Sequence, residues 1–315
     1  MKRVIGWIIG SLLVVVLLTL GGGYYLTRVA LQPTVERSEE HFIASFDEHY
    51  PDLVPWFTAL RAEGAIGEIT RKGADGCELQ AYYIPAESAS TRTAILVHGY
   101  TDHPFGMMQY GWIYREKLGC NLLLPTLRYH GKSGGDHIQM GWNDRLDIKQ
   151  WIEVCDTLFG EGQEIVIHGL SMGAATVMML SGETDLPTSV RCMVEDCGYT
   201  SVWDQFSKEL KEDYHLPTFP ILQVARKIAQ WRFGWDFCEA SALEAVGRST
   251  CPMLFIHGGN DHYVPTCMVY PLYEAKTQGP KQQWIAPDAG HADAYMDHPE
   301  SYAEVVCTFC EQYFD

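Results

Sequence analysis

Three polar residues each follow a short strand-like run, in the order Ser, Asp, His. Ser171 lies in Gly169-Leu170-Ser171-Met172-Gly173, after Ile165–Ile167 and before an alanine-rich apolar segment. Asp261 lies in His257-Gly258-Gly259-Asn260-Asp261-His262-Tyr263-Val264-Pro265, after Met253–Ile256. His291 lies in Pro287-Asp288-Ala289-Gly290-His291-Ala292-Asp293, after Gln282–Ile285. A serine hydroxyl is a poor nucleophile at neutral pH. It needs a base to take its proton, and the base needs an anion to fix its tautomer and stabilise the imidazolium. A G-x-S-x-G run between a β-branched strand and a helix former puts the hydroxyl on a sharp turn, with backbone N–H groups of a helix start beside it. The glycines leave room where a Cβ would clash. Acyl transfer through a covalent acyl-serine is the chemistry these residues can perform.

Elements must bring the three together. Ala94–Val97 and Leu122–Leu124 read as buried parallel strands, and Ile165–Ile167, Cys192–Val194, Met253–Ile256 and Gln282–Ile285 as further strands. Ile66–Arg71 and Cys77–Ile84 read as a hairpin turned by Gly73-Ala74-Asp75-Gly76. Helices are expected over Val35–Phe46, Asn143–Phe159, Pro265–Lys276 and Pro299–Tyr313. The buried face of the second would carry Leu146, Trp151, Ile152, Cys155 and Phe159. That of the last would carry Tyr302, Val306, Phe309 and Tyr313. Alternating strands and helices give an α/β fold, a mainly parallel sheet with helices on both faces. Residues just past the carboxyl ends of its strands share one edge. The stretch 200–248 breaks the alternation and is helical and aromatic, with Trp203, Phe206, Trp231, Phe233, Trp235 and Phe237.

These pieces resemble the α/β-hydrolase superfamily over about residues 66–314. Within it, the chain is similar to the bacterial membrane-anchored branch related to serine aminopeptidases, monoglyceride lipases and prolyl-oligopeptidase catalytic domains. The matching motifs are His98-Gly99-Tyr100, Arg128-Tyr129-His130-Gly131-Lys132-Ser133-Gly134, Gly169–Gly173, Gly258-x-x-Asp261-x-x-Val264-Pro265 and Gly290-His291. Tyr129 departs from the pattern, where a glycine is usual. The resemblance implies that 200–248 is a small helical cap, inserted after the sixth strand and lining the substrate pocket. It implies a triad of Ser171, Asp261 and His291, with an oxyanion hole from the Met172 and Tyr100 amides. It also implies turnover without metal or organic cofactor. Carboxylic esters are the expected substrates, since alkoxides leave more easily than amines. A peptidase for short peptides is the alternative. Glu209, Glu212 and Asp213 are the acidic residues of the cap that could meet a charged peptide end. A non-catalytic, membrane-tethered binding protein is the rival of another class.

Other residues compete for these roles. Asp196 or Glu195, after the sixth strand, could supply the acid instead of Asp261. His262 adjoins Asp261 too closely in sequence to serve as its base. His98 and His168 read as hydrogen-bonded structural histidines, and Asp288 and Asp293 as solvated loop carboxylates.

The chain has 315 residues, 47% of them hydrophobic, and a formal charge of −17. That excludes nucleic acid as a partner, because phosphate binding needs concentrated Lys and Arg. Lys2 and Arg3 precede an uncharged stretch from Val4 to Thr27, long enough to cross a bilayer, with Tyr24 and Tyr25 as an interfacial pair. A retained anchor with an extracytoplasmic catalytic domain is the favoured reading, and a cleaved signal peptide with a secreted product the alternative. Residues 28–65 would be a juxtamembrane segment. Of the ten cysteines most read as small core residues, with a Cys192–Cys197 disulfide left open. Cys307-x-x-Cys310 lacks a second ligand pair at zinc spacing.

Overall fold

The runs from Ala94 to Ile256 become the inner strands of one eight-stranded sheet in the computed structural model, which describes residues 2–314, while Gln282–Ile285 becomes a half-buried edge strand. The strands are β1 Gly67–Lys72, β2 Glu78–Ile84, β3 Arg92–Val97, β4 Asn121–Thr126, β5 Glu164–Leu170, β6 Val190–Asp196, β7 Met253–Gly258 and β8 Lys281–Ala286. Their order is β1-β2-β4-β3-β5-β6-β7-β8. β1 and β2 pair antiparallel, as do β2 and β4; every other pair is parallel. The helices are α1 Lys2–Leu31, α2 Glu39–His49, α3 Val54–Ala62, α4 Met108–Trp112, α5 Asp144–Ile152, α6 Cys155–Phe159 and α7 Met172–Ser181. Further on come α8 Val202–Glu212, α9 Ile221–Phe233, α10 Ala242–Arg248, α11 Val269–Ala275, α12 Ala294–Asp297 and α13 Pro299–Cys310.

Every residue of β4, β5 and β7 is buried, as expected for parallel strands covered on both faces. Burying each of Ile165, Val166 and Ile167 contributes roughly 2 kcal/mol. The chain runs from β3 outward to β4 and then returns to β5 on the other side of β3. That reversal between β3 and β5 is the place in an open α/β sheet where ligand crevices form.

The chain divides into two units. The main unit spans Val35–Thr200 and the residues from Ala242 onward; it holds the whole sheet. Its core takes in Phe46 from α2 and Phe57 and Leu60 from α3, so residues 35–62 pack into this unit rather than standing apart. The smaller unit joins the residues up to Thr34 to Ser201–Ser241. Phe206, Trp235 and Phe237 are its buried aromatics, the first and last meeting edge to face with centroids 5.0 Å apart.

Several local expectations need correction. The helix expected over 143–159 is broken into α5 and α6 at Glu153–Val154. Leu146 is exposed, and Asp147 takes a buried place among Ile148, Trp151 and Ile152. The reason is Arg128, whose guanidinium holds both oxygens of Asp147 at 2.6 and 2.8 Å. The helix expected from Val35 starts at Glu39, capped by the Ser38 hydroxyl. Pro265–Lys276 begins with a 3₁₀ turn and is α-helical only from Val269 to Ala275. The ten cysteines are free. A Cys192–Cys197 bond is ruled out by geometry, since the four strand residues between them set the two roughly 16 Å apart.

Candidate active site

The turn from β5 into α7 is closely packed. A Cβ on Gly169 would lie 2.2 Å from the Gly173 carbonyl oxygen, and one on Gly173 would lie 2.0 Å from the Val97 oxygen. Only glycine fits either position. Ser171 itself is held at φ 56° and ψ −114°, a backbone conformation costly for an L residue. The surrounding contacts hold it there: its N–H donates to the Asp196 carbonyl at 2.8 Å, and its carbonyl accepts from Ala175 at 3.0 Å.

β5, β6, β7 and β8 are successive neighbours, so the residues following them line up along one edge. His291, in the loop after β8, reaches back across that edge. Its Nε2 lies 2.8 Å from Ser171 Oγ, and its Nδ1 lies 2.7 Å from Asp261 Oδ2. The carboxylate accepts from Nδ1–H, which leaves Nε2 to accept the serine proton. The other oxygen of Asp261 accepts from the backbone N–H groups of Tyr263 and Val264, both at 2.9 Å. Burial alone would raise the Asp261 pKa, but hydrogen bonds from His257 and His291 outweigh it and bring it down to about 2. Asp261 is therefore an anion throughout the physiological range.

The competing acids are placed differently. Asp196 is fully buried, and its Oδ2 accepts from the Tyr302 hydroxyl at 2.8 Å. Its Oδ1 has no partner. Burial pushes its pKa up to about 6, against the opposing pull of Tyr302. Glu195 accepts from the Gly198 N–H at 3.1 Å, and burial pushes it up to about 8. Among the described contacts neither carboxylate bonds to His291. His262 and Asp288 are exposed; Asp293 is half-buried, its pKa raised by that burial and by Asp297.

The two glycine-flanking histidines are buried and neutral. His98 donates from Nδ1 to the Gly99 carbonyl and accepts from Leu127 N–H at Nε2. His168 lies between the hydroxyls of Tyr114 and Tyr302, each 3.1 Å away, and burial drives its pKa to about 3.

Around the proposed oxyanion site, Met172 is the first residue of α7, so its N–H is one of the four that no helix satisfies internally. Tyr100 follows Gly99, and a Cβ on Gly99 would sit 3.6 Å from that of Ser171, so the end of β3 lies against the serine. The next residue, Thr101, is left-handed at φ 55°, and its N–H donates to His130 Nε2 at 3.0 Å. The Arg128–Gly134 segment therefore steadies the loop that carries Tyr100. Tyr129 adopts φ 69° although it is not glycine. Arg37 secures it, donating to the Tyr129 carbonyl at 2.9 Å and lying over its ring at 5.3 Å.

Two neighbours were not evident from spacing alone. His257 donates from Nε2 to the Val264 carbonyl at 2.9 Å and lies 3.4 Å from Asp261 Oδ2. Its place at the end of a strand, four residues before the acid, is the available signal. Cys197 has its sulfur within 4.8 Å of the ligand atoms of Asp261 and His291. Burial pushes that thiol well above its ordinary pKa, which keeps it protonated and a poor metal ligand.

Residues 94–305 match the profile of the alpha/beta hydrolase family. The chain is 29% identical over 240 residues to the uncharacterized protein YqkD of Bacillus subtilis strain 168, covering 76% of this chain and 77% of that protein. It is 26% identical over 247 residues to the uncharacterized protein YfhR of Escherichia coli K12, covering 77% and 78%. Among solved structures it resembles the esterase Pf2001 of Pyrococcus furiosus, with a TM-score of 0.64, 23% identity and coverage of 79% and 93%. It also resembles the acylaminoacyl peptidase of Pyrococcus horikoshii, with a TM-score of 0.60, 16% identity and coverage of 79% and 42%.

Proposed function

Since the chain belongs to the alpha/beta hydrolase family, we propose that it is a serine hydrolase cleaving carboxylic esters through an acyl-serine intermediate. The observation that carries this reading is the pair of contacts made by one imidazole, 2.8 Å to Ser171 Oγ and 2.7 Å to Asp261 Oδ2. Ser171 attacks the ester carbonyl as His291 takes its proton. Asp261 orients the ring and offsets its charge. The Met172 and Tyr100 amides receive the oxyanion, each worth roughly 3–4 kcal/mol in the transition state. His291 then protonates the leaving alkoxide. Water enters, His291 again serves as base, and Ser171 is freed.

A fluorophosphonate probe tests the nucleophile. Labelling of the wild type but not of Ser171→Ala is expected, and an unlabelled, folded wild type overturns the reading. His291→Ala should lower kcat for p-nitrophenyl esters by about 10⁴-fold or more while the fold persists. Graded p-nitrophenyl esters assayed beside aminoacyl-anilides distinguish an esterase from a peptidase. Faster turnover of the anilides overturns the substrate class and leaves the triad standing.

We further propose that α1 is a retained membrane anchor, with Lys2 and Arg3 on the cytoplasmic side and the catalytic unit outside. The apolar stretch is long enough to span, and it is exposed over its first two turns and beyond. Its buried positions are Gly23, Thr27 and Leu31, at four-residue spacing on one face. A signal sequence destined for removal has no need of such a packed face. Intact N-terminal mass of the protein extracted from membranes tests retention; a mature start after residue 21 overturns it.

A further inference from the structure

The smaller unit ties the end of α1 to α9. A Cβ on Gly23 would fall 2.5 Å from Val224 Cγ1, so the two helices approach backbone to backbone there. Gly22 faces Ile221, and the Thr27 hydroxyl donates to the Ala225 carbonyl at 3.3 Å. Higher residues of α1 thus meet higher residues of α9, and the helices run in the same direction. The start of α9 lies beside Gly22, and its end lies farther along.

A bilayer's hydrocarbon core takes about 20 helical residues. Counted from Val4, that length ends close to Gly22–Tyr25, where Tyr24 and Tyr25 are exposed. The loop entering α9 sits at the same level, because it leads directly into Ile221 beside Gly22. In this loop Phe219 is 73% exposed, and Tyr214 and Leu216 are also exposed. Three bulky apolar side chains facing solvent within six residues are costly in water and favourable at a headgroup boundary. Trp231 is exposed as well, but ten residues of helix, about 15 Å, carry it away from the start of α9.

We propose that the loop Tyr214–Phe219 is a second lipid contact, seating Phe219 and Leu216 in the outer headgroup boundary of the bilayer that α1 crosses. The proposal rests on the reading of α1 as a retained span. The loop's flank carries both signs, Glu212 paired with Lys208 at 3.3 Å and Lys211 beside Asp213, so the fitting surface is one of zwitterionic headgroups.

The test uses the full-length chain in phosphatidylcholine vesicles, with a photo-reactive phenylalanine analogue placed singly at positions 12, 219 and 231. Lipid adducts are read by mass spectrometry after illumination. The expected result is adducts at 12 and 219, with position 219 yielding roughly tenfold more than 231. Adducts at 12 with equal yields at 219 and 231, or crosslinks from 219 to protein instead of lipid, overturn the loop contact and leave the anchor intact. No adduct at 12 overturns the anchor and the loop contact together. Since Phe219 is exposed, its replacement leaves the packing of the unit unchanged.

Discussion

Asp196 and Asp261 stand at the ends of neighbouring parallel strands, both shut away from water, yet their carboxyl groups titrate in opposite directions. Asp261 is held down to about 2 and Asp196 is pushed up to about 6. Burial opposes ionisation at both; the difference lies in the donors. Asp261 accepts from two backbone N–H groups on one oxygen and from His291 on the other, with His257 nearby. Asp196 accepts from one phenol and leaves an oxygen unpaired. A loop that folds back on its own carboxylate, as Tyr263 and Val264 do, makes a permanent anion. A strand end without such a loop makes an acid that can gain a proton.

The sharpest way to break this comparison is Asp261→Asn. Loss of the anion, with the imidazole then free to adopt the wrong tautomer, should lower kcat/KM for an ester by about 10⁴-fold. A loss below tenfold would assign the role of anion elsewhere.

Next in size is Glu195→Gln, at the same strand end as Asp196. The folded protein holds the Glu195 proton up to about 8, against 4.5 for an ordinary carboxyl. The folded state thus binds that proton more tightly than the unfolded chain. Stability from this residue is complete below pH 4.5 and is lost as pH rises towards 8. Thermal unfolding measured from pH 5 to 8 should show a shallower decline in Tm for the glutamine variant. Parallel slopes would contradict the assignment.

The smallest effect belongs to Asp196→Asn. Because Asp196 contacts Tyr302 and not the imidazole of His291, the rate should fall by no more than about tenfold. A fall matching that of Asp261→Asn would reverse the roles of the two strand ends.

The strands were legible because continuous apolar runs suit a sheet buried on both faces, and β5 and β7 are of that kind. The glycines around Ser171 were legible because few other residues survive a carbonyl at 2 Å. Strand ends on a shared edge made Asp261 and His291 natural companions for the serine. What stayed hidden depends on partners distant in the chain. Nothing near Leu146 announces that Arg128 will draw Asp147 inward and turn the leucine out. Phe46, Phe57 and Leu60 lie in a polar-looking stretch, and only the surface they meet makes them core. Tyr129 reads as a departure from pattern until Arg37, 92 residues earlier, is seen holding its carbonyl.

The tight seat of Gly23 against Val224 bears on what a cut at the end of the proposed anchor would do. Cleavage among the three glycines Gly21–Gly23 would cut into the contact face of α1 rather than a slack tether. A released form would carry its new amino terminus where the two helices touch, with Thr27 still against Ala225 but without the preceding turns of α1. Attachment and the seating of α9 therefore meet at one place, and a protease acting there would fray the end of the helix pair as it severed the span.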